Sequence, residues 1–307
     1  MNPKANEIYE QLTDHLISAI NSGATCWRKC WAGSAAAAHG MVPNNPVSGK
    51  DYRGFNIMWL WMIASERGWD DSRWGTYKQI KNAGGVVRRG EKGTKVIFWK
   101  PVVRKEEGKD GKIVERLSFY SRTWTVFNYA QCDGLDALER PDGETAPKRD
   151  NSLDELSGAY IEAQGIDLNF GGNRAFYRPS ADMIQMPHKD DFETEAHFFS
   201  TLYHEIAHST GHSKRLKRPG ITDSAGFRSH KYSFEELVAE FTSVFVLAQL
   251  GRLDIEDAVF DNSAAYLRGW VSRLNKNKDW AGKAAQKAQK ASEFILAHVA
   301  VEQHKAA

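Results

Sequence analysis

Apolar residues recur at helical spacing in the first third of the chain and give way to β-rich runs in the region that follows. The spacing within Ile8–Ile20 predicts an amphipathic helix, and the nearly continuous apolar run of Gly54–Arg67 predicts a buried helix. A short helix is predicted over Tyr77–Ala83, where Gly84 and Gly85 end it.

Two runs rich in β-branched and aromatic residues follow, Thr94–Val103 and Ile113–Asn128. They flank the polar segment Lys105–Lys112, in which Gly108 and Gly111 favour a tight connection. The pattern therefore predicts a β-hairpin.

Beyond residue 152 the pattern is mainly helical. Helices are predicted over Leu153–Gln164, Phe192–Ser209, Phe234–Leu250 and, at the C-terminal end, Asp254–Ala300. An extended run over Arg174–Met186 separates the first two, and prolines at both ends of Arg178–Pro187 are compatible with an edge strand over Met183–Met186. We therefore predict an α+β protein, with a mixed α/β N-terminal region and a mainly helical C-terminal region that has a small sheet with this edge strand.

The segment between these regions, Glu139–Ser152, contains charges and prolines but no large apolar residue. Such a composition is typical of a solvated linker. We predict two domains, residues 1–140 and 153–307, joined by a linker over 141–152. The charge divides in the same way, because basic residues exceed acidic ones by six in residues 1–140 and fall short by four in the remainder.

Composition excludes several classes of protein. The chain has 307 residues, of which 41% are hydrophobic and 26% charged, as in ordinary globular proteins. No apolar run approaches the length of a membrane span, and the acidic, amphipathic N-terminus does not resemble a signal peptide. Three cysteines are too few for a disulfide framework, so we predict a cytoplasmic protein without membrane association.

The strongest chemical motif is the segment His204-Glu205-Ile206-Ala207-His208. In a helix, two histidines four residues apart lie on one face, where both imidazoles reach a single Zn²⁺. The intervening Glu205 can then act as general base towards a water at the metal. The motif predicts a zinc site with hydrolytic chemistry, with another divalent ion such as Mn²⁺ as the alternative cofactor.

A catalytic zinc requires a third protein ligand and an open position. His212 lies one helical turn too far along, so we expect it to line the site or cap the helix unless Gly211 redirects it. Acidic residues in the apolar helix that follows are better candidates, because burial of a carboxylate is costly unless it is paired or bound to metal.

The arrangement of that helix resembles gluzincins, in which a downstream helix supplies a glutamate ligand and a further acid orients the first histidine. The resemblance implies Glu236 as the third ligand and Glu240 as the residue that orients His204. Ser233 and Glu236 also match a helix-capping box, so Glu235 and Glu240 remain alternative ligands.

Cationic and aromatic residues are interspersed in the N-terminal region, as a single-stranded nucleic-acid binder requires for phosphates and bases. An ordinary solvated surface remains the alternative explanation. The candidate DNA contacts are Arg28, Lys29, Trp31, Arg53, Arg73, Trp74, Lys78, Arg88, Arg89, Lys92 and Lys95.

Taken together, the two regions resemble ArdC-type plasmid antirestriction proteins, and the first also resembles the N-terminal region of TraC-type plasmid DNA primases. The segments that carry the resemblance are Asn45–Asn56, Trp74–Ile80, Gly85–Gly93, His204–His212 and Tyr232–Glu240. The resemblance implies a DNA-binding N-domain for single strands, a zincin-like metallopeptidase C-domain and protection of incoming plasmid DNA from host restriction. It also implies a protein substrate, with a host restriction component as one candidate.

Two other functions remain open. The chain could be a DNA-binding protein in which the metal only stabilises the fold, or a plasmid replication accessory protein. Glu205 favours an enzyme, because a structural metal site needs no general base. The second alternative is weakened as an enzyme because residues 1–140 contain no primase-like catalytic cluster.

Overall fold

The computed structural model describes residues 3–21, 41–107, 113–135, 153–223, 230–251 and 264–303. The predicted linker over 141–152 lies outside these ranges. So do three of the candidate DNA contacts, Arg28, Lys29 and Trp31.

The N-terminal region contains three helices and seven strands within the described ranges. The helices are α1 (Pro3–Asn21), α2 (Phe55–Arg67) and α3 (Tyr77–Asn82), all three at or near the predicted positions. The strands are β1 (Asn44–Asn45), β2 (Lys50–Asp51), β3 (Trp74–Gly75), β4 (Val86–Val87), β5 (Thr94–Glu107), β6 (Ile113–Asn128) and β7 (Cys132–Asp133). Residues at the helix ends fix two of these boundaries. Thr76 and Gln79 form a capping box at the start of α3, and Gly68 ends α2 in the left-handed conformation.

The predicted hairpin is confirmed. Strands β5 and β6 pair antiparallel from Thr94 with Val126 to Glu107 with Ile113, and β3 extends β6 on its other side. One face of the hairpin packs on α2, where the Asn56 side chain exchanges hydrogen bonds with the backbone of Ile97. The opposite face is largely exposed beyond Val96.

The C-terminal region contains six helices and three strands within the described ranges. The helices are α4 (Leu153–Gln164), α5 (Glu195–Ser209), the single turn α6 (Pro219–Thr222), α7 (His230–Gln249), α8 (Ala264–Lys276) and α9 (Trp280–Gln303). The strands are β8 (Asp167–Phe170), β9 (Phe176–Arg178) and β10 (Met183–Met186). Helix α5 begins later than predicted because the Thr194 side chain caps it. The α+β class, with a mainly helical second region and a small sheet, is confirmed.

The position of Met183–Met186 within this sheet was predicted incorrectly. As β10, this segment is the central strand, parallel to β8 and antiparallel to β9. Strand β8 was not predicted, because its side chains are mostly exposed and lack the apolar alternation that indicates a strand. Without β8, Met183–Met186 was placed at the edge of the sheet. The two edges of the sheet are therefore β8 and β9.

One hydrophobic core extends through both regions. Helix α9 packs against α1 and α2 as well as against α4 and α7. The contact with α1 is close, because a Cβ atom on Gly282 would lie 2.8 Å from the ring of Tyr9. The contact with α2 includes a hydrogen bond from the Gly54 backbone to Gln289. The division of the chain at 141–152 stays a prediction. Across the described ranges, no helix is long and apolar enough to span a membrane.

Candidate metal centre and nucleic-acid surface

Helices α5 and α7 pack against each other and together build a cluster of polar side chains. The His204 and His208 imidazoles lie one turn apart on α5, with their Nε2 atoms 3.1 Å apart. The Glu236 carboxylate approaches from α7, 3.6 Å from Nε2 of His204 and 3.3 Å from Nε2 of His208. The three residues that the sequence predicted as metal ligands are thus brought together.

These distances fit a divalent ion. Ligand bonds of about 2.0–2.1 Å in tetrahedral geometry place the ligand atoms about 3.3 Å from one another. The three observed separations range from 3.1 to 3.6 Å. Among the His, Cys, Asp and Glu side chains of the described residues, these three lie close enough together to hold a metal ion.

Two further carboxylates lie beside the outer nitrogens of the histidines. Glu240 lies 3.3 Å from Nδ1 of His204, and Glu235 lies 3.7 Å from Nδ1 of His208. A proton held on each Nδ1 leaves both Nε2 lone pairs directed at the centre of the cluster, where a cation is required. The predicted role of Glu240 is consistent with this geometry.

Arg218 was not identified from the sequence. It forms a bidentate pair with Glu235, at 3.0 and 2.9 Å from its Nε, and donates to Thr210 and to the Ala207 carbonyl. Glu235 is therefore committed to Arg218 behind His208, which argues against it as the third ligand. The capping-box alternative is wrong, because α7 begins at His230 and Ser233 lies inside the helix.

The electrostatics also call for a cation. Burial lowers the pKa of His208, but the carboxylates of Glu236 and Glu235 raise it more strongly, to about 9. Burial has the same effect on His204, and Glu240 and Glu236 outweigh it, so its pKa lies well above the usual value. Burial raises the pKa of Glu236, yet the two histidines hold it well below its usual value. Positive charge is thus strongly favoured at the position where the ligands converge.

Glu205 lies between this cluster and the sheet. Its side chain is buried, and burial raises its pKa although His204 and His208 partly oppose the shift. The backbone of Tyr177, on edge strand β9, hydrogen-bonds the carboxylate. The candidate general base is therefore held beside both the metal ligands and the edge of the sheet.

His212 lies near the turn that follows strand β9. Its Nδ1 is 3.7 Å from Asp182, a residue with φ of 49° in the turn between β9 and β10. Asp182 also accepts a hydrogen bond from the Tyr177 hydroxyl at 2.8 Å and pairs with Arg215 at 2.8 Å. His212 thus contacts the turn that supports β9, which agrees with a position near the site and off the metal.

Two predicted DNA contacts are corrected. The Trp74 side chain is 1% exposed and packs edge-on against Trp69, so it cannot stack on a base. Arg73 is also buried, pairs with Asp71 at 2.7 Å and lies over the ring of Tyr129. Both belong to the core of the N-terminal region.

The remaining described candidates are exposed, and they stay predictions. Arg88 is partly engaged, because it bonds the Ala130 carbonyl and pairs with Glu91 and Asp133 at 3.3 Å. Arg53 pairs with Glu293. The others are Lys78, Arg89, Lys92 and Lys95.

The sequence reasoning missed a surface that we call the hairpin face. The register pairs Phe98 with Arg122 and Lys100 with Tyr120, and Trp124 lies on the same side of β6. The three aromatic rings are about half exposed, at 47%, 51% and 50% for Phe98, Tyr120 and Trp124. The hairpin face adjoins a groove of about 700 Å³ whose lining also includes Lys50, Tyr52 and Arg53. The clue in the sequence was the alternation of rings and cations along each strand.

Comparison with known proteins assigns the two regions. Residues 6–127 match the family model for the N-terminal domain of anti-restriction factor ArdC, and residues 155–287 match a zincin-like metallopeptidase model. An uncharacterized protein of Sinorhizobium fredii, y4eC, is 34% identical over 95% of this chain and 92% of its own. The DNA primase TraC of Escherichia coli is 35% identical over 94% of this chain, which spans only 27% of the primase.

Solved structures give the same assignment. The metal-free crystal structure of the antirestriction protein ArdC from plasmid R388 matches with a TM-score of 0.73 and 35% identity, over 95% of this chain and 98% of that one. The Mn(II)-bound structure of the same protein matches with a TM-score of 0.70. The chain belongs to the ArdC family of antirestriction proteins, as its motifs indicated, and carries a zincin-like domain.

Proposed function

We propose that this protein protects plasmid DNA from host restriction during conjugative entry, and that it does so in the cytoplasm with a single-stranded DNA surface and a metal-dependent peptidase site. The observation that carries the enzymatic part is the convergence of His204, His208 and Glu236 beside the buried Glu205. Zn²⁺ is the proposed ion, with Mn²⁺ as the alternative that the R388 protein suggests.

Three protein ligands would leave one position of a tetrahedral ion for water and substrate. Such a divalent ion would polarise a peptide carbonyl and lower the pKa of a water molecule. Glu205 accepts a proton from the attacking water and delivers it to the nitrogen of the breaking peptide bond, which leaves as an amine. The hydrogen bond from the Tyr177 backbone orients the Glu205 carboxylate for both transfers.

The sheet supplies a place for the substrate. Strand β9 is an edge strand, and an extended peptide can add to such an edge through main-chain hydrogen bonds. Because Tyr177 of β9 contacts Glu205, a peptide paired there lies beside the base. The proposed substrate is a specific protein, and a component of the host restriction system is the foremost candidate.

The hairpin face supports the DNA-binding part. Its half-exposed rings can stack on bases, while Lys100 and Arg122 lie between them at positions suited to phosphates. Stacking and charge do not read base edges, so we propose binding without strong sequence preference. Duplex DNA would hide the base faces that these rings require.

The two alternative functions receive less support. A purely structural metal would not explain why a further ionisable group, Glu205, is buried beside the ligands with a raised pKa. A replication accessory role follows from kinship with TraC alone, and this chain spans 27% of one TraC primase and 20% of another.

The variant Glu205→Gln tests the proposal, because it keeps the size of the side chain and removes the base. We expect it to retain metal and single-strand binding while a restricting host destroys plasmid entering with it. The readout is transfer frequency into restricting and non-restricting recipients. Full protection by this variant would show that hydrolysis is dispensable and would favour the structural-metal alternative.

A further inference from the structure

A second groove, of about 650 Å³, lies in the C-terminal region between α6, the first turns of α7 and α9. One wall is aromatic, because Phe234 and Trp280 pack edge to face with ring centroids 5.3 Å apart. The lining also includes Lys283, Lys287 and Lys290, which follow Trp280 along α9. Residues 153–307 are acidic overall, so this concentration of lysine contrasts with its surroundings.

The three lysines form one row, which we call the α9 stripe. Spacings of four and three residues place them on one face of the helix over about 10 Å. All three are exposed. Lys283 pairs with Asp279, whereas within the described ranges Lys287 and Lys290 have no carboxylate within ion-pair distance.

The floor of the groove does not contribute an available cation. Arg218 lines the floor but directs its donors at Glu235, Thr210 and the Ala207 carbonyl. The Arg218–Glu235 pair is buried, and its two charges cancel each other. The capacity of the groove for anions therefore resides in the α9 stripe.

The α9 stripe is adjacent to the groove at the hairpin face. Arg53, which lines that first groove and is 66% exposed on its side chain, pairs with Glu293 of α9. Glu293 follows Lys290 by three residues, so one helical turn separates Arg53 from the end of the α9 stripe. The Gly54 backbone is anchored to the same helix through Gln289.

We propose that the α9 stripe continues the single-stranded DNA path from the hairpin face, across Arg53, onto the metallopeptidase region. This inference rests on the single-strand binding proposed above and extends its site beyond the N-terminal region. The phosphates of the strand would contact Lys290, Lys287 and Lys283 in turn. Charge alone would also suit an acidic polypeptide, but continuity with a groove lined by exposed aromatic rings favours nucleic acid.

The test compares full-length Lys287→Gln/Lys290→Gln with wild type, using labelled oligothymidylates of about 8 and about 30 nucleotides, since single-strand sites span about 4–16 nucleotides per module. We expect a loss of at least about fivefold in affinity for the long strand at 0.1 M salt, and a salt slope shallower by about 1.4, or 0.7 per lost phosphate contact. The short strand, which can be accommodated at the hairpin face, should bind unchanged. The matched control is Arg174→Gln/Lys214→Gln, which removes two exposed positive charges away from both grooves.

The other outcomes separate the possible failures. If wild type binds the long strand and the double variant binds it with the same affinity and slope, the α9 stripe is not part of the path. Equal losses for both lengths, or in the control, would indicate a general effect of net charge and would also overturn the proposal. If wild type binds neither strand, the proposed single-strand binding itself fails. A polyglutamate peptide that requires the α9 stripe, with DNA unaffected, would assign the surface to an acidic protein.

Discussion

The metal centre and the hairpin face place their functional groups by different means. In the metal centre, a carboxylate lies within ion-pair distance of the outer nitrogen of each ligand histidine, and Arg218 pairs with one of these carboxylates, Glu235. On the hairpin face, strand register sets the positions of Phe98, Tyr120 and Trp124, whose side chains are half exposed.

The difference matches the tolerance of the two ligands. A metal site is specified to within about 0.2 Å in each ligand distance, so its side chains must be locked by packing and by outer hydrogen bonds. A single strand that binds by stacking accepts any base, and it needs rings that can adjust to each one. The metal centre is therefore recognised by buried side chains that are backed by further partners. The hairpin face is recognised by exposed rings that alternate with cations along each strand.

The largest effect expected is the loss of metal in His208→Ala. The variant removes one of three ligands and leaves Glu236 and Glu235 near an empty position, so bound metal should fall from one equivalent to none detectable. Elemental analysis after gel filtration measures it.

The matched control for that variant is His197→Ala, which removes a half-buried histidine from the same helix. It contacts Phe192 and lies outside the cluster. It should keep full metal content. Unchanged metal in His208→Ala would mean that the site is misassigned.

The next largest effect is a loss of stability when Arg218, the partner of Glu235 beside His208, is replaced. Arg218→Met should destabilise the fold by about 3–5 kcal/mol, because it leaves the Glu235 carboxylate buried without its partner. Urea unfolding of the metal-free protein measures this loss of stability separately from any change in metal binding.

The double variant Arg218→Met/Glu235→Leu removes both charges and should recover most of that stability. If the single variant proves as stable as wild type, the Arg218–Glu235 pair does not stabilise the fold. The contrast between a locked centre and an adjustable face would then lose its main support.

The parts of the structure that follow from local spacing could be predicted. The i, i+4 histidines, the buried helix α2 and the β5–β6 hairpin each result from periodicity within one segment, and all appear where the pattern placed them. Third-ligand candidates could be narrowed because an apolar helix tolerates few unpaired acids.

The remaining features depend on contacts between distant segments, which no local pattern reports. The Arg218–Glu235 pair joins residues of two different elements, and α9 joins α1 and α2 in one core from the far end of the chain. Trp74 was misassigned because composition does not reveal which indole is covered. Strand β8 was missed because its side chains are mostly exposed. As a result, the central strand β10 was predicted as an edge strand.

The smallest of these effects is expected on the hairpin face. Trp124→Ala removes a half-exposed ring that we propose to stack on one base, which should cost about 1–3 kcal/mol of binding free energy for single strands. The salt slope should stay the same, because no phosphate contact is lost. Fluorescence anisotropy with a labelled oligothymidylate at several salt concentrations measures both quantities. Phe170→Ala, which removes a similarly exposed ring (47%) from the C-terminal sheet, is the control and should bind like wild type. If Trp124→Ala changed the slope and left the affinity at fixed salt unaltered, the face would act through charge alone, and its alternation of rings and cations would need another explanation.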